Sequence, residues 1–260
     1  MFHEYLKKIN INLVKNSNEE IVISTSGTTG KKKSIAQPNG KIKIANKIAR
    51  EVQMITQNSK VYTVCSLGHA AGLLAQTLPA LEVKATVFIE SFNPFVWIKN
   101  IKNFTHSHLT PKMAKAIIKT KSWKDLNLEG KIITCGSEGV PAFLINKFVE
   151  KGCTFIVNWG MTEIGPIAIN ETIKPSDAKV EDLKIGKKTL TLMGNKVFSE
   201  TKIIQDELHV KGDICVYEEW FATGDIVKLD NKRFWFHSRK NEFRCDNPVS
   251  YTHLTLPTKA

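Results

Sequence analysis

The order of apolar and polar positions predicts strands that alternate with helices up to about residue 170. Short, continuous apolar runs between turn residues are typical of buried strands, whereas apolar residues spaced three and four apart are typical of helices. Runs of the first kind are residues 20–24, 61–67, 85–90, 105–110, 131–136 and 154–160. Runs of the second kind are residues 41–55, 69–83, 94–101, 111–120 and 141–152. This alternation favours an α/β fold, with a parallel sheet that is covered by helices on both faces.

The pattern changes beyond residue 170, where apolar and polar residues alternate with a period of two. Residues 225–238 show this alternation on both sides of Asp230 and Asn231, which is typical of a β-hairpin. We therefore predict an α/β core over residues 1–169, followed by a smaller antiparallel, β-rich subdomain over residues 170–238.

Composition restricts the class of protein. The chain has 260 residues, of which 42% are hydrophobic, enough for one sizeable core or for a main domain with a small one. Its apolar runs are shorter than the roughly 18–20 residues that cross a membrane. The five cysteines lie apart, mostly in strand-like runs, which predicts reduced core residues of a cytoplasmic protein. They are Cys65, Cys135, Cys153, Cys215 and Cys245.

The net charge of +12 raises the question of nucleic-acid binding. The excess is mostly lysine and is spread evenly along the chain, whereas surfaces that clamp phosphates and read bases usually favour arginine. We expect no nucleic-acid partner.

The loop "TSGTTGKKK" at residues 25–33 has the composition of a phosphate-binding loop. Its glycines allow backbone N–H groups to point inward, its hydroxyl side chains are further donors, and Lys33 supplies positive charge. A Walker loop requires four residues between its glycines, but two separate Gly27 from Gly30. The loop is therefore not that of the usual kinases and GTPases, and the alternative reading is a basic loop in solvent.

The stretch "NWGMTEIG" at residues 158–165 places an aromatic side chain and a carboxylate where a predicted strand ends. Trp159 can stack on a base, and the carboxylate of Glu163 is a hard oxygen ligand of the kind that Mg²⁺ binds. The alternative is that Trp159 is a core residue and Glu163 a solvated charge.

The stretch "FATGD" at residues 221–225 ends on an aspartate, and Arg239 follows shortly beyond it. The carboxylate of Asp225 can accept hydrogen bonds from two ribose hydroxyls. Taken alone, however, an ordinary hairpin aspartate is the better interpretation.

The joint order of six motifs resembles the adenylate-forming superfamily, which includes acyl- and aryl-CoA synthetases, luciferases and peptide-synthetase adenylation domains. The motifs are "STSGTTGKKK", "GHAAGL", "CGSEG", "NWGMTE", "FATGD" and "SRKNE", and they span about residues 20–247. Within the superfamily, the early loop and the segment "FNPFVW" at residues 92–97 resemble compact o-succinylbenzoate–CoA ligases, but a generic acyl- or aryl-CoA ligase is the better interpretation.

The resemblance implies which residues contact the phosphates of ATP. The loop residues that it assigns to the β- and γ-phosphates are Thr25, Ser26, Gly27, Thr28, Thr29, Gly30 and Lys33. It further implies that Thr162 contacts the α-phosphate and that Glu163 holds Mg²⁺, so that Thr162, Glu163 and Lys33 form the catalytic set.

The resemblance also implies a site for adenosine and a substrate pocket. The residues that it assigns to the adenine and the ribose are Gly136, Ser137, Glu138, Asn158, Trp159, Gly160, Met161, Asp225 and Arg239. Trp159 replaces the usual tyrosine that packs on adenine. His69 and Gly72 correspond to the mouth of the pocket for the carboxylic acid, although a structural role at a helix start is the better interpretation of His69 taken alone.

The reaction that the resemblance implies is ATP-dependent adenylation of a small carboxylic acid, followed by transfer of the acyl group to CoA or another thiol. The cofactors would be ATP and Mg²⁺, with CoA as the acceptor.

The chain departs from the family at several positions. Lys32 replaces a frequent proline, and Ser238 replaces the glycine before the arginine. Members continue into a lid domain, of which residues 239–247 would be the hinge and start, with Asn241 at the hinge position. We expect residues 248–260 to be a non-native tail. The alternative to a truncated ligase is a nucleotide-binding module without efficient turnover.

Overall fold

The computed structural model describes residues 20–25 and 33–240. Its main sheet has seven strands, and their spatial order is β12-β8-β7-β6-β5-β3-β4. These strands are β3 (Lys60–Thr63), β4 (Thr86–Ile89), β5 (His106–Leu109), β6 (Ile132–Cys135), β7 (Thr154–Met161), β8 (Gly165–Ile173) and β12 (Lys196–Val197). The strands from β3 to β7 pair in parallel, as the sequence predicts.

Helices cover both faces of this sheet, because successive strand residues point to opposite sides. The helices are α1 (Asn39–Gln53), α2 (Ala70–Gly72), α3 (Leu78–Glu82), α4 (Pro94–Asn100), α5 (Pro111–Ile118) and α6 (Ala142–Val149). Helix α1 packs against Ile156 of β7, whereas α4, α5 and α6 pack against Phe155 and Val157 on the other face. The α/β core is thereby confirmed.

The helix predicted over residues 69–83 is present but irregular. A π-helical turn, Leu73–Thr77, joins α2 to α3, and Pro79 is the second residue of α3. Since proline lacks an N–H and its ring clashes with the preceding turn, the helix adjusts its hydrogen bonding on the N-terminal side of Pro79.

Two strand pairings differ from a purely parallel sheet. Strand β8 runs antiparallel to β7 because a turn of three residues joins them, and so short a link cannot make a parallel crossover. Strand β1 (Ile21–Thr25) pairs antiparallel with β2 (Lys33–Gln37), whose residues the sequence analysis assigned in part to the glycine loop. These two form a separate two-stranded sheet.

The C-terminal part is antiparallel, as predicted. Five strands form one sheet in the order β11-β16-β15-β14-β13. They are β11 (Thr191–Gly194), β13 (Glu200–Ile204), β14 (Glu207–Lys211), β15 (Phe221–Asp230) and β16 (Arg233–Arg239), and a small hairpin of β9 (Lys184–Ile185) and β10 (Lys188–Thr189) precedes them. The hairpin between β15 and β16 turns at Asn231 and Lys232, both at positive φ.

The two sheets share their cores. Leu192 and Trp235 of the five-stranded sheet pack with Phe155 and Val157, and Val140 pairs with Leu192 across an isolated bridge. The boundary proposed at residue 169 falls within β8, a strand of the main sheet. It stays a proposal.

Within the described residues, no helix is both long enough and apolar enough to cross a membrane. The four cysteines in this part of the chain are buried free thiols, and Cys245 lies outside it.

Candidate functional site

The candidate site lies where parallel strands end. Because β3, β5, β6 and β7 run in the same direction, their carboxyl ends share one edge of the sheet, the usual position of ligands in open α/β folds. The stretch Gly136–Glu138 follows β6, and the turn Thr162–Ile164 follows β7. The segment with His69 follows β3 and leads into α2. Three of the predicted motifs therefore meet at this edge.

The core of the site is a contact among Trp159, Asp225 and Arg239. The indole Nε1–H of Trp159 donates to Oδ2 of Asp225 at 2.9 Å. The guanidinium Nε of Arg239 lies 2.7 Å from Oδ1 of the same carboxylate, whose residue is 1% exposed. Residues that are 66 and 14 positions apart from Asp225 thus converge on it, which the sequence alone could predict only through the resemblance.

Strand geometry places Asp225 and Arg239 together. They lie opposite each other in the register of β15 and β16, one pair beyond a β-bulge between Ile226 and Val227. Thr223 secures both residues: its Oγ1 accepts from the backbone N–H of Asp225, and its carbonyl oxygen accepts from Arg239 at 3.0 Å. Bulges commonly re-aim side chains beside functional sites.

Glu207 supports the same hairpin from β14. Its Oε1 accepts from the backbone N–H of Gly224, and its Oε2 lies 2.7 Å from Nζ of Lys240. Burial raises the pKa of Glu207, but the bonds to Lys240 and Gly224 outweigh burial and hold it below its ordinary value. Neither Thr223, which lies within the motif "FATGD", nor Glu207 was assigned a role from the sequence, because both roles depend on cross-strand register.

The turn after β7 carries Thr162 and Glu163. The carbonyl oxygen of Thr162 accepts from the side-chain amide of Gln37 at 2.8 Å, and that of Glu163 accepts from the backbone N–H of Val216 at 2.9 Å. Two distant segments therefore hold this turn. Thr162 is buried, whereas Glu163 is half-buried.

The strand ends of β6 and β7 pack closely at Gly136. A Cβ on this residue would come within 2.5 Å of the carbonyl oxygen of Asn158, so the close approach requires glycine. Ser137 and Glu138 are exposed beside it. Asn158 is 4% exposed, and its side-chain amide has no hydrogen-bond partner in the described part of the chain.

The remaining predicted residues are placed as follows. Gly160 and Met161 are half-buried at the end of β7, and His69 is exposed directly before α2. Gly72 is buried, and a Cβ there would meet the carbonyl oxygen of Ser66 at 2.4 Å, so close packing is its structural role. Lys33 is exposed at the start of β2, and Thr25 ends β1. Ser26, Gly27, Thr28, Thr29, Gly30 and Asn241 lie outside the described residues.

Comparison with known proteins gives a family match. A family model described as "AMP-binding enzyme" matches residues 11–224. A feruloyl-CoA synthase of Amycolatopsis sp. is 28% identical over 151 residues, which are 56% of this chain and 30% of that protein.

Solved structures show the same fold. The anthranilate CoA ligase AuaEII, in complex with anthranoyl-AMP, superposes with a TM-score of 0.73 at 18% identity, over 87% of this chain and 48% of that one. The o-succinylbenzoate coenzyme A synthetase of Bacillus subtilis, in complex with ATP and magnesium, gives a TM-score of 0.68 at 23% identity, over 85% of this chain and 50% of that one. The chain thus spans about half of these structures and less than a third of the curated relative.

Proposed function

The chain belongs to the AMP-binding enzyme family, and from this premise we propose that it binds MgATP at the carboxyl edge of the seven-stranded sheet and transfers AMP to a carboxylic acid. The acyl group would then pass to CoA. The observation that carries the proposal is the convergence of Trp159 and Arg239 on the buried carboxylate of Asp225. Trp159 lies near the end of β7, just before the turn that carries Glu163. Three separate sequence motifs supply these residues.

The residues present fit a nucleotide with its metal ion. Glu163 is a half-buried carboxylate with the hard oxygen atoms that Mg²⁺ prefers. The close approach of Gly136 to Asn158 holds the ends of β6 and β7 together, and the buried amide of Asn158 has hydrogen-bonding capacity left for a ligand. We assign Glu163 as the residue that would hold Mg²⁺, which would neutralise negative charge on the phosphates.

We propose the two-step chemistry that membership of the family implies. A carboxylate oxygen of the acid attacks the α-phosphorus of ATP, the bond to the bridging oxygen breaks, and pyrophosphate leaves with the electron pair. The thiol sulfur of CoA then attacks the acyl carbonyl carbon, AMP leaves, and the thiol proton passes to solvent. Catalysis of this kind depends mainly on positioning and on charge stabilisation.

Each assigned residue has a defined task. Trp159, Asp225 and Arg239 would hold the adenosine half, with Gly136, Ser137 and Glu138 along the base. Thr162 would contact the α-phosphate, and Thr25 and Lys33 the terminal phosphates. His69 and Gly72 would lie toward the acid. Loss of one well-placed donor or charge typically lowers such a rate by roughly 100- to 1000-fold.

The acid and the acceptor are proposed from the relatives. The three reported relatives are named for feruloyl, anthranilate and o-succinylbenzoate substrates, which are aromatic carboxylic acids. We therefore propose a small aromatic or aliphatic carboxylic acid as the substrate and CoA as the acceptor. We also propose that the protein is cytoplasmic and has no nucleic-acid partner. The buried free thiols support a reducing compartment.

Carboxylate-dependent exchange of pyrophosphate into ATP tests the proposal. We expect at least one acid from a panel of aromatic and aliphatic carboxylates to stimulate exchange, and hydroxylamine to trap the activated acid as a hydroxamate. Binding of MgATP without exchange for any acid would instead favour the nucleotide-binding module. Failure to bind MgATP would contradict both.

A further inference from the structure

The hairpin of β1 and β2 is fixed to the core by apolar contacts on one side. Thr25 and Lys33 are the last pair in its register before the connecting segment. Ile21 and Ile23 pack with Ile42 of α1 and with Leu73. Apolar packing is not directional, so these contacts alone do not set the hairpin's distance from the strand ends of the main sheet.

A directional contact is made at the other end of β2. Gln37 is the last residue of this strand, is 3% exposed, and donates its Nε2–H to the carbonyl oxygen of Thr162 at 2.8 Å. The two residues are 125 positions apart, and Thr162 is also buried. A buried hydrogen bond has a strict geometry and is stronger than an exposed one, because water does not compete for either partner.

The bond joins the segment with Lys33 to the segment with Glu163. Lys33 and Gln37 begin and end the same extended strand, and Glu163 directly follows Thr162 in the turn after β7. A further bond to this turn, from the N–H of Val216 to the carbonyl oxygen of Glu163, comes from the loop after β14. Within the described residues, Gln37 therefore makes a hydrogen-bonded connection from β2 to the turn.

We propose that Gln37 is a positioning residue, which sets the placement of Lys33 relative to Thr162 and Glu163. The inference rests on the proposed function, since both ends of the connection are assigned to the phosphates and the metal ion. Gln37 itself is assigned to no ligand. Its effect on binding passes through the residues that are assigned to the phosphates and Mg²⁺. Binding of the adenosine half depends instead on Trp159, Asp225 and Arg239.

The test separates positioning from a purely structural role. Gln37→Met keeps the length of the side chain and removes the N–H, and Gln37→Glu keeps the shape and places an acceptor against the carbonyl oxygen of Thr162. Gln53→Met is the matched control. Gln53 is likewise a buried glutamine whose amide donates to a backbone carbonyl, that of Ala75, but it lies at the far end of α1.

Dissociation constants for AMP and for MgATP are measured by calorimetry on the 260-residue chain and each variant. We expect Gln37→Met to weaken MgATP binding by about tenfold, the effect of one misplaced contact, and to weaken AMP binding by a smaller factor, because AMP reaches Thr162 through its α-phosphate but has no terminal phosphates for Lys33. Gln37→Glu should weaken MgATP binding further. Gln53→Met should lower the midpoint of thermal unfolding and leave the ratio of the two constants unchanged.

A double-mutant cycle with Glu163→Ala tests whether Gln37 affects MgATP binding through Glu163. If Gln37 acts through the turn, Gln37→Met should weaken MgATP binding less in the Glu163→Ala background than in the wild type. Independent, additive losses would overturn a role through Glu163.

Two outcomes distinguish the inference from its premise. If the wild type binds MgATP and AMP, and Gln37→Met leaves their ratio unchanged, the proposed function stands and the inference is overturned. If the wild type binds neither nucleotide, the proposed function is wrong and the inference falls with it.

Discussion

At the residue scale, the motifs predicted which side chains form the candidate site but not which contacts hold these side chains in place. The sequence placed Asp225 after a glycine turn, where an ordinary hairpin aspartate was the better interpretation of the residue taken alone, yet the structure buries it between Trp159 and Arg239. Burial of this carboxylate depends on the register of β15 with β16 and on a contact 66 residues away. Neither the strand register nor this distant contact can be predicted from the residues next to Asp225 in the sequence.

The Trp159 contact leads to a prediction about stability and binding. Trp159→Phe keeps an aromatic ring but removes the N–H that Asp225 accepts, so we expect unfolding free energy to fall by about 1.5–3 kcal/mol, the range for a hydrogen bond to a charged group. We also expect weaker AMP binding. Urea unfolding and calorimetry measure the two effects.

Trp97→Phe is the matched control for this prediction. Trp97 is buried and donates its Nε1–H to the neutral hydroxyl of Ser107 at 3.0 Å, away from the site. The Trp97→Phe substitution should lower the unfolding free energy by about 0.5–1.5 kcal/mol, the range for a neutral hydrogen bond, and should leave AMP binding unchanged. Equal AMP affinity in both variants would remove Trp159 from the site.

His108 predicts a pH dependence of stability. It is 2% exposed, neither ring nitrogen has a hydrogen-bond partner within the described residues, and burial lowers its pKa from 6.5 to about 4. As pH falls below 6.5 the unfolded chain takes up the proton first, so stability is full above pH 6.5 and is lost toward pH 4. The loss from this group is up to about 3 kcal/mol.

His108→Leu should remove that part of the pH dependence. We expect the unfolding free energy of the variant to decline less between pH 7 and pH 4.5 than that of the wild type. His106, whose pKa is also lowered by burial, contributes in both proteins and cancels in the comparison. Identical slopes would show that His108 is hydrated or paired in the folded protein.

At the element scale, periodicity and turn residues were sufficient for the helices and parallel strands. Asn93 confirms the start of α4, because its Oδ1 accepts from the N–H groups of Phe95 and Val96, with Pro94 at the first helical position. The sequence did not predict β2 as a strand, because the triple lysine of the loop obscured its pattern. Nor did it predict that β8 joins the main sheet, since pairing partners are set by tertiary packing.

The turn between β15 and β16 gives a prediction at this scale. Asn231 and Lys232 have φ values of 47° and 62°, the conformation of a two-residue turn that favours asparagine followed by glycine. Lys232→Gly removes the strain of a side chain at positive φ and should raise the unfolding free energy by about 0.5–1 kcal/mol. Lys232→Val should lower it.

Chemical denaturation of the two turn variants provides the measurement. A less stable Lys232→Gly protein would show that the lysine side chain makes a compensating contact in the folded state. Either variant should leave nucleotide binding unchanged, because the turn lies at the opposite end of the hairpin from Asp225 and Arg239.

At the scale of the whole molecule, the site forms where the two sheets share a core. Trp159 comes from the seven-stranded sheet and packs with Val227 and Phe234 of the five-stranded sheet, which also supplies Asp225 and Arg239. The family match confirms the resemblance to the adenylate-forming superfamily that the motif order indicated. The roles of the single residues stay proposals, since the motif order gives their sequence positions but not their contacts with a ligand.

The most direct test of the central claim is calorimetric titration of the chain with MgATP and with AMP, in the wild type and in Asp225→Ala and Glu163→Ala. We predict that Asp225→Ala weakens the binding of both ligands by about tenfold or more, and that Glu163→Ala weakens the binding of MgATP but not that of AMP. All three proteins should retain cooperative thermal unfolding. Unchanged affinities for both ligands in both variants would contradict a single nucleotide site built from these strand ends.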